Sequence, residues 1–281
     1  MIQDIYPHKL HNEYNPSARV QENSPILNIS NGKVLVHTEQ FDNGIVVFPL
    51  KKELPEELEY TYLFKVDDRE YFLWNEELSD DSIPKGYSSV EERSMRKENK
   101  GPCEEAFAVT TAKHLSDWYR DTCFCGRCGT KMAPHDKERA MSCPSCGYIA
   151  YPRIMPAVIV GVKNGDKILL TKYRTGFAHN ALIAGFTEIG ETAEETVMRE
   201  VMEEAGIKVK NIHYYKSQPW GTANDLLLGF YCEVDGDDTI TMDRHELKYA
   251  EWVQREEIVL QPGNFSLTNE MMRRFKEGYE V

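Results

Sequence analysis

Apolar residues recur at Ala193, Val197, Val201 and Ala205, every fourth position of a stretch whose other faces are mostly polar and acidic. That spacing lays a stripe along one side of a helix. A start and a stop are also legible: Thr192 followed three residues later by Glu195 has the pattern of a capping box, and Gly206 suits a left-handed end. Upstream, residues 155–162 form an apolar run that fits a buried strand, residues 163–166 a turn, and residues 167–172 a partner strand. Residues 182–184, 212–216, 226–234 and 250–253 are further strand-like runs, and a last helix is predicted over 267–279.

Nearer the N-terminus the pattern turns to strands. Residues 33–37, 44–50 and 60–66 are rich in β-branched and aromatic side chains, and Asp67 and Asp68 supply a turn into residues 70–74. Residues 79–101, with Asp80, Asp81, Pro84, Gly86 and the charged run 91–100, read as a linker or exposed loop. Residues 106–119 return to helical character, with Phe107, Leu115 and Trp118 as core contacts and Tyr119 as packing. No nucleophile with a matching base, phosphate loop or metal pattern stands out before residue 95. That region is assigned a structural or dimer-supporting role.

Length and charge set bounds on this picture. A chain of 281 residues suggests about two domains with ample apolar content for their cores. The formal charge of -13 argues against a surface that coats nucleic acid or an anionic membrane, although a local basic patch stays compatible with it. The opening residues hold no apolar signal segment, and no run approaches the length of a membrane span, so a cytoplasmic location is predicted.

The seven cysteines add chemistry through their spacing. Cys125-x-x-Cys128 and Cys143-x-x-Cys146 stand fourteen residues apart, each pair followed by a glycine, Gly129 or Gly147. Two such knuckles can bring four thiolates into the tetrahedron of a structural zinc ribbon, and four protein ligands leave no open position for catalysis. Cys123 is a rival ligand with the wrong spacing, while Cys103 and Cys232 read as free thiols. Arg127, Lys131, Lys137 and Arg139 give the ribbon basic character, which keeps a non-catalytic nucleic-acid-binding module as an alternative class.

A second cluster lies on the predicted helix. At 100° per residue, Glu200, Glu203 and Glu204 span an arc of about 100°, so their carboxylates can converge. Taken alone, they could be an ordinary solvated face. As a functional group they need a cation between them, and oxygen-only ligation suits Mg²⁺ or Mn²⁺.

Gly185, Glu191, Arg199, Glu200, Val201, Glu203, Glu204, Gly206 and Ile207 together resemble the Nudix box at every fixed position. The resemblance implies hydrolysis of a nucleoside diphosphate linked to another group. Glu200, Glu203 and Glu204 would hold the metals, and Arg199 would pair with Glu191; which glutamate serves as base is not legible from spacing. The implied fold is α+β: a β-rich domain with linker and helix over residues 1–120, a zinc ribbon over 121–150, and a Nudix α/β/α sandwich over 151–281.

The order of these parts, with Ser217, Gln218, Pro219 and Trp220 after the box, resembles the NADH pyrophosphatase branch, also known as NAD-capped RNA hydrolases. That branch continues PFPxS; here Gly221, Thr222, Ala223, Asn224 and Asp225 follow instead. By resemblance, Phe186 stacks on a base, Tyr151 is contributed by the partner of a homodimer, and Ser217, Gln218 and Trp220 belong to the substrate site. Glu246 would be a metal ligand outside the box. The implied reaction cleaves the pyrophosphate of NADH or NAD⁺ to AMP and nicotinamide mononucleotide, and extends to NAD caps on RNA. ADP-ribose and dinucleoside polyphosphates remain alternative substrates because the GTAND segment departs from the branch.

Overall fold

The computed structural model describes residues 1–76, 82–96, 103–175 and 179–279, with only the backbone of Arg96 and Cys103. Linker positions 79–81 and 97–101, and the Cys103 thiol, lie outside the described residues. The chain divides into two compact units. One comprises residues 2–153 and 221–224; the other comprises Met1, residues 154–220 and residues 225–281.

The N-terminal unit is built on a six-stranded sheet. Its strands are β1 (Leu10–His11), β2 (Ile26–Ser30), β3 (Lys33–His37), β4 (Thr61–Val66), β5 (Arg69–Trp74) and β6 (Tyr87–Glu91), in the order β1-β4-β5-β2-β3-β6. Asn31 and Gly32, both with positive φ, make the tight turn between β2 and β3, a pairing that favours hairpins. A short helix, α1 (Thr38–Asp42), follows β3.

Residues 44–50 do not form the expected strand. Their backbone runs beside two neighbours without a ladder, receiving His37 N–H at Val47 O (2.9 Å) and Ile26 N–H at Pro49 O (2.8 Å). Pro49 has no N–H with which to continue a ladder. In contrast, β6 forms inside the stretch expected to be a linker, pairing with β3 along its whole length.

Helix α2 (Cys103–Asp121) buries Ala106, Phe107, Ala108, Val109, Ala112, Leu115 and Trp118. Beyond it lies the ribbon, a three-stranded sheet of β7 (Ala133–Pro134), β8 (Met141–Ser142) and β9 (Ile149–Ala150). Within this unit the Tyr14 hydroxyl donates to His135 O (3.0 Å), and Arg139 donates to Leu63 O (2.5 Å).

The C-terminal unit is a mixed sheet between two helices. Its strands are β10 (Met155–Asn164), β11 (Lys167–Tyr173), β12 (Ile183–Phe186), β13 (Val209–Trp220), β14 (Asp225–Val234) and β15 (Leu247–Gln254), with α3 (Ala193–Ala205) and α4 (Leu267–Lys276). The main order is β13-β14-β10-β11-β15; β12 also pairs with β10, and β10 runs parallel to β14.

Alternation along β10 explains its unbroken apolar run. Ala157 and Ile159 pack on one face with Leu267, Met271, Met272 and Phe275 of α4, while Val158, Val160 and Val162 pack on the other with Val197, Val201 and Ala205 of α3. A strand buried on both faces has no reason to alternate apolar with polar.

Candidate functional site

Helix α3 starts and stops through local chemistry. Thr192 Oγ1 accepts from Glu195 N–H (3.2 Å), and Glu195 Oε2 accepts from Thr192 N–H (2.8 Å), closing the capping box. Gly206 ends the helix at φ 70°. With the stripe of Val197, Val201 and Ala205 fixed in the core, Glu200, Glu203 and Glu204 are held at the side of the helix facing β12 and solvent.

Arg199 is the hub of this surface. Its Nε and Nη2 donate to the two oxygens of Glu191 at 2.6 and 2.9 Å, while Nη1 donates to Glu200 (2.7 Å) and Glu203 (3.0 Å). Nη2 also reaches Phe186 O (2.8 Å), tying the loop after β12 to the helix. Glu191 further accepts from Glu188 N–H and Thr196 Oγ1, each at 3.0 Å. Arg199 first, then the Glu188 amide, hold its carboxyl down at about 2.

The three helix carboxylates have different surroundings. Glu203 is mostly exposed, Glu200 is largely covered, and Glu204 retains only 2% of its surface. Glu204 Oε2 is buried without a hydrogen-bond partner. Burial, then the charges of Glu200 and Glu246, push its carboxyl up to about 8. Burial likewise raises Glu200, with Glu203 and Glu246 adding to the shift while Arg199 opposes it. Glu246 therefore acts on the same electrostatic site as Glu200 and Glu204, although it follows the helix by more than forty residues.

The space for this cluster is made by a glycine. A Cβ on Gly185 would lie on top of the Glu200 carboxyl group. Gly185 sits in β12 opposite Val158, so the backbone passes close enough for a glutamate to fold over it.

A divalent cation fits this chemistry. A buried carboxylate oxygen with no donor, beside two further carboxylates, is costly unless a positive group completes it. Arg199 occupies Glu203 and one oxygen of Glu200, and the glutamates do not converge as tightly as the cysteines. Among the described residues, the cysteine quartet is the one group of three or more ligand-type side chains whose donor atoms all lie within 4.8 Å.

Glu204→Gln should therefore raise the melting temperature of the metal-free protein by about 2–4 °C per kcal/mol of desolvation and repulsion relieved, while abolishing stabilisation by added Mn²⁺. Thermal scans with and without Mn²⁺ check both halves. A lower metal-free melting temperature would mean that Glu204 is internally compensated.

Sequence reasoning missed two groups around this cluster. Tyr173, at the end of β11, is half-buried beside it, and its phenol is raised first by desolvation and then by the charges of Glu204, Glu246 and Glu200. Arg174 follows, with N–H to Glu246 O (3.0 Å) and Nη1 to Arg244 O (3.2 Å). Both lie outside any motif, and only the strand pairing brings them to the carboxylates.

The residues expected to touch substrate differ in accessibility. Phe186 is half exposed beside the box. Ser217 and Trp220 are partly buried in β13, with Trp220 packed on the α4-side core. Tyr151 belongs to the N-terminal unit, half exposed, and its hydroxyl donates to Glu138 Oε2 (2.8 Å).

Gln218 has both ends of its side-chain amide engaged within the fold. It is fully buried; Nε2 donates to Phe265 O and Oε1 accepts from Leu267 N–H, both at 2.7 Å. Its amide thus fastens the entry to α4. Asp225, the carboxylate that replaces a hydroxyl in the GTAND segment, is buried at the start of β14 opposite Met155 and Trp220.

The ribbon cysteines form a separate centre. Cys125 and Cys146 sulfurs lie 3.6 Å apart, Cys128 and Cys143 3.5 Å, and Cys128 and Cys146 3.6 Å. A zinc tetrathiolate with Zn–S near 2.3 Å requires edges of about 3.8 Å. The two knuckles match: Gly129 N–H reaches Cys125 O (2.8 Å), and Gly147 N–H reaches Cys143 O (3.0 Å), at φ 74° and 71°. The sulfurs of Cys125 and Cys143 accept backbone N–H bonds from Arg127 (3.4 Å) and Cys146 (3.5 Å). Neither Cys123 nor the buried Cys232 joins the quartet.

Residues 153–275 match the NUDIX domain, and residues 120–151 match the NADH pyrophosphatase zinc ribbon domain. The chain carries both domains. Its ribbon is a structural zinc site, and its Nudix domain implies a second, divalent metal. Among curated proteins, it is 44% identical over 151 residues to "NAD-capped RNA hydrolase NudC" of Escherichia coli O9:H4 (strain HS), covering 53% of this chain and 58% of the relative. The same identity and coverage hold for the protein of that name from Shigella boydii serotype 18. The matched region thus spans a little over half the length of these relatives. A crystal structure of a NUDIX hydrolase from Nitrosomonas europaea is 23% identical, covers 56% of this chain and 94% of its own, and has a TM-score of 0.49.

Proposed function

We propose that this Nudix protein hydrolyses the pyrophosphate of NADH and NAD⁺ to AMP and nicotinamide mononucleotide, and removes NAD caps from RNA. The observation that carries the reading is the carboxylate site of Glu200, Glu204 and Glu246, with its partnerless Glu204 oxygen, in a chain 44% identical over the matched region to an NAD-capped RNA hydrolase. Glu200, Glu203, Glu204 and Glu246 would hold Mg²⁺ or Mn²⁺, which when bound neutralises pyrophosphate oxygens and acidifies water.

The chain's own groups supply the rest. Arg199 and Glu191 brace the loop against α3, and one helix carboxylate takes the proton of the water that attacks phosphorus on the AMP side. Phe186 offers a half-exposed ring for a base, and the partner subunit's Tyr151 would offer another in a homodimer. A cytoplasmic location agrees with four thiols grouped for a metal, which suits a reducing compartment. No helix among the described residues is long and apolar enough to cross a membrane.

Product analysis with Mn²⁺ and separate NADH, NAD-capped RNA, ADP-ribose and diadenosine polyphosphate tests the reading. AMP from NADH and 5′-monophosphate RNA from the capped transcript are expected. The GTAND segment favours a second reading, preference for ADP-ribose or a dinucleoside polyphosphate, and faster turnover of either would select it. No hydrolysis of any of them would leave the binding-module reading. Glu203→Gln should lower kcat by about 10²–10³-fold with the melting temperature unchanged, because its exposed side chain contributes little to folding. Retained turnover would remove Glu203 from the site.

A further inference from the structure

Glu246 poses a mechanical problem. It is exposed and lies in the segment that enters β15, yet its charge acts on Glu200 and Glu204, which repel it. A flexible carboxylate in that position needs its backbone fixed, because side-chain entropy and like charge both favour its leaving.

One anchor comes from the end of α3. Thr241 N–H donates to Ala205 O (2.8 Å), and Asp243 N–H donates to Glu204 O (2.9 Å), using carbonyls that a helix terminus leaves without partners. Asp243 then closes a turn, accepting His245 N–H at its carboxylate (2.7 Å) and Leu247 N–H at its carbonyl (3.0 Å).

The other anchor is the end of β11. The ladder with β15 shifts register between Lys172 and Tyr173, so that Tyr173 faces Leu247, which is fully buried. Arg174 then grips the segment twice: its N–H takes Glu246 O (3.0 Å), and its guanidinium takes Arg244 O (3.2 Å). Main chain and side chain of one residue thus hold carbonyls two positions apart.

We propose that Arg174 is a positioning residue for Glu246, holding residues 243–247 to the end of β11 so that the Glu246 carboxylate faces Glu200 and Glu204. The proposal rests on Glu246 being a metal ligand, and the test separates the two.

Full-length Arg174→Met, Arg174→Lys, Glu246→Gln and the double variant R174M/E246Q would be titrated with Mn²⁺, following free Mn²⁺ by electron paramagnetic resonance. Met keeps the aliphatic stem and removes the donor; Lys restores a cationic donor of shorter reach. R174M should weaken Mn²⁺ binding about tenfold, R174K should recover most of it, and the double variant should bind no more weakly than E246Q. Melting temperatures should agree among the four. Wild-type binding in R174M alongside weakened E246Q would overturn the proposal, as would additive losses in the double variant. Undiminished binding in E246Q would remove Glu246 as a ligand and the proposal with it. Should R174M fail to fold, Arg174→Gln makes the same comparison.

Discussion

Gly185→Ala is expected to cost about 10²-fold in kcat while leaving the protein folded. The added Cβ would occupy the position of the Glu200 carboxyl group, the far end of a flexible side chain. Relief is therefore available: Glu200 can swing outward, where Arg199 Nη1 already holds one of its oxygens at 2.7 Å. Strand β12 keeps its pairing with β10, since an alanine at an extended position disturbs no ladder bond. What the swing removes is one carboxylate from beside Glu204 and Glu246. Mn²⁺ affinity should fall with kcat, and the melting temperature of the metal-free protein should stay close to wild type. A variant of normal activity would mean that Glu200 is not required in the position it occupies. A variant that unfolds would mean that β12 cannot accept a side chain there for a reason other than Glu200.

The contrast between Gly185 and its neighbours explains how far the sequence could be read. Helix α3 was legible because its determinants are local: the Thr192–Glu195 box, the fourfold apolar recurrence and Gly206 all lie within fifteen residues. The ribbon was legible for the same reason, with each knuckle a self-contained turn. Residues 44–50 were misread because β-branched composition describes what suits a strand, whereas the ladder depends on which backbone groups find partners, and Pro49 offers no N–H. Strand β2 went unread although its Asn31-Gly32 turn is a strong local signal, because Asn28 and Ser30 dilute the β-branched and aromatic content that marks β3.

The site was legible in part. Spacing placed three glutamates on one helix face, but it did not show that burial would leave Glu204 as the strained member and Glu203 as the exposed one. Tyr173 and Arg174 carried no signal because only the β11–β15 register brings them to Glu246. Gln218 shows what resemblance leaves out. Resemblance placed it at the substrate, and the fold spends both polar ends of its amide on residues 265 and 267. A residue that shapes the start of α4 would affect turnover when replaced without touching substrate, which is why motif membership alone does not assign a role.

Removing zinc should unfold the ribbon and spare the Nudix domain. The ribbon has three strands of two residues each, too little backbone pairing to stand alone. Its apolar cluster is Trp118, Met132 and Met141 together with the cysteines Cys125 and Cys143, so the ligands also form the core. Metal binding in such small sites supplies about 10–16 kcal/mol in isolated finger peptides, more than this cluster can replace. Purified protein should contain one zinc per chain by elemental analysis. After chelation, limited proteolysis followed by mass spectrometry should find new cleavage within residues 122–150, while residues 154–275 stay protected and retain their Mn²⁺-dependent thermal shift. Cys146→Ser should reproduce the cleavage pattern without chelator, since three thiolates and a hydroxyl bind zinc far less tightly. If the zinc-free ribbon resisted protease as well as the loaded one, its packing rather than its metal would be holding it together.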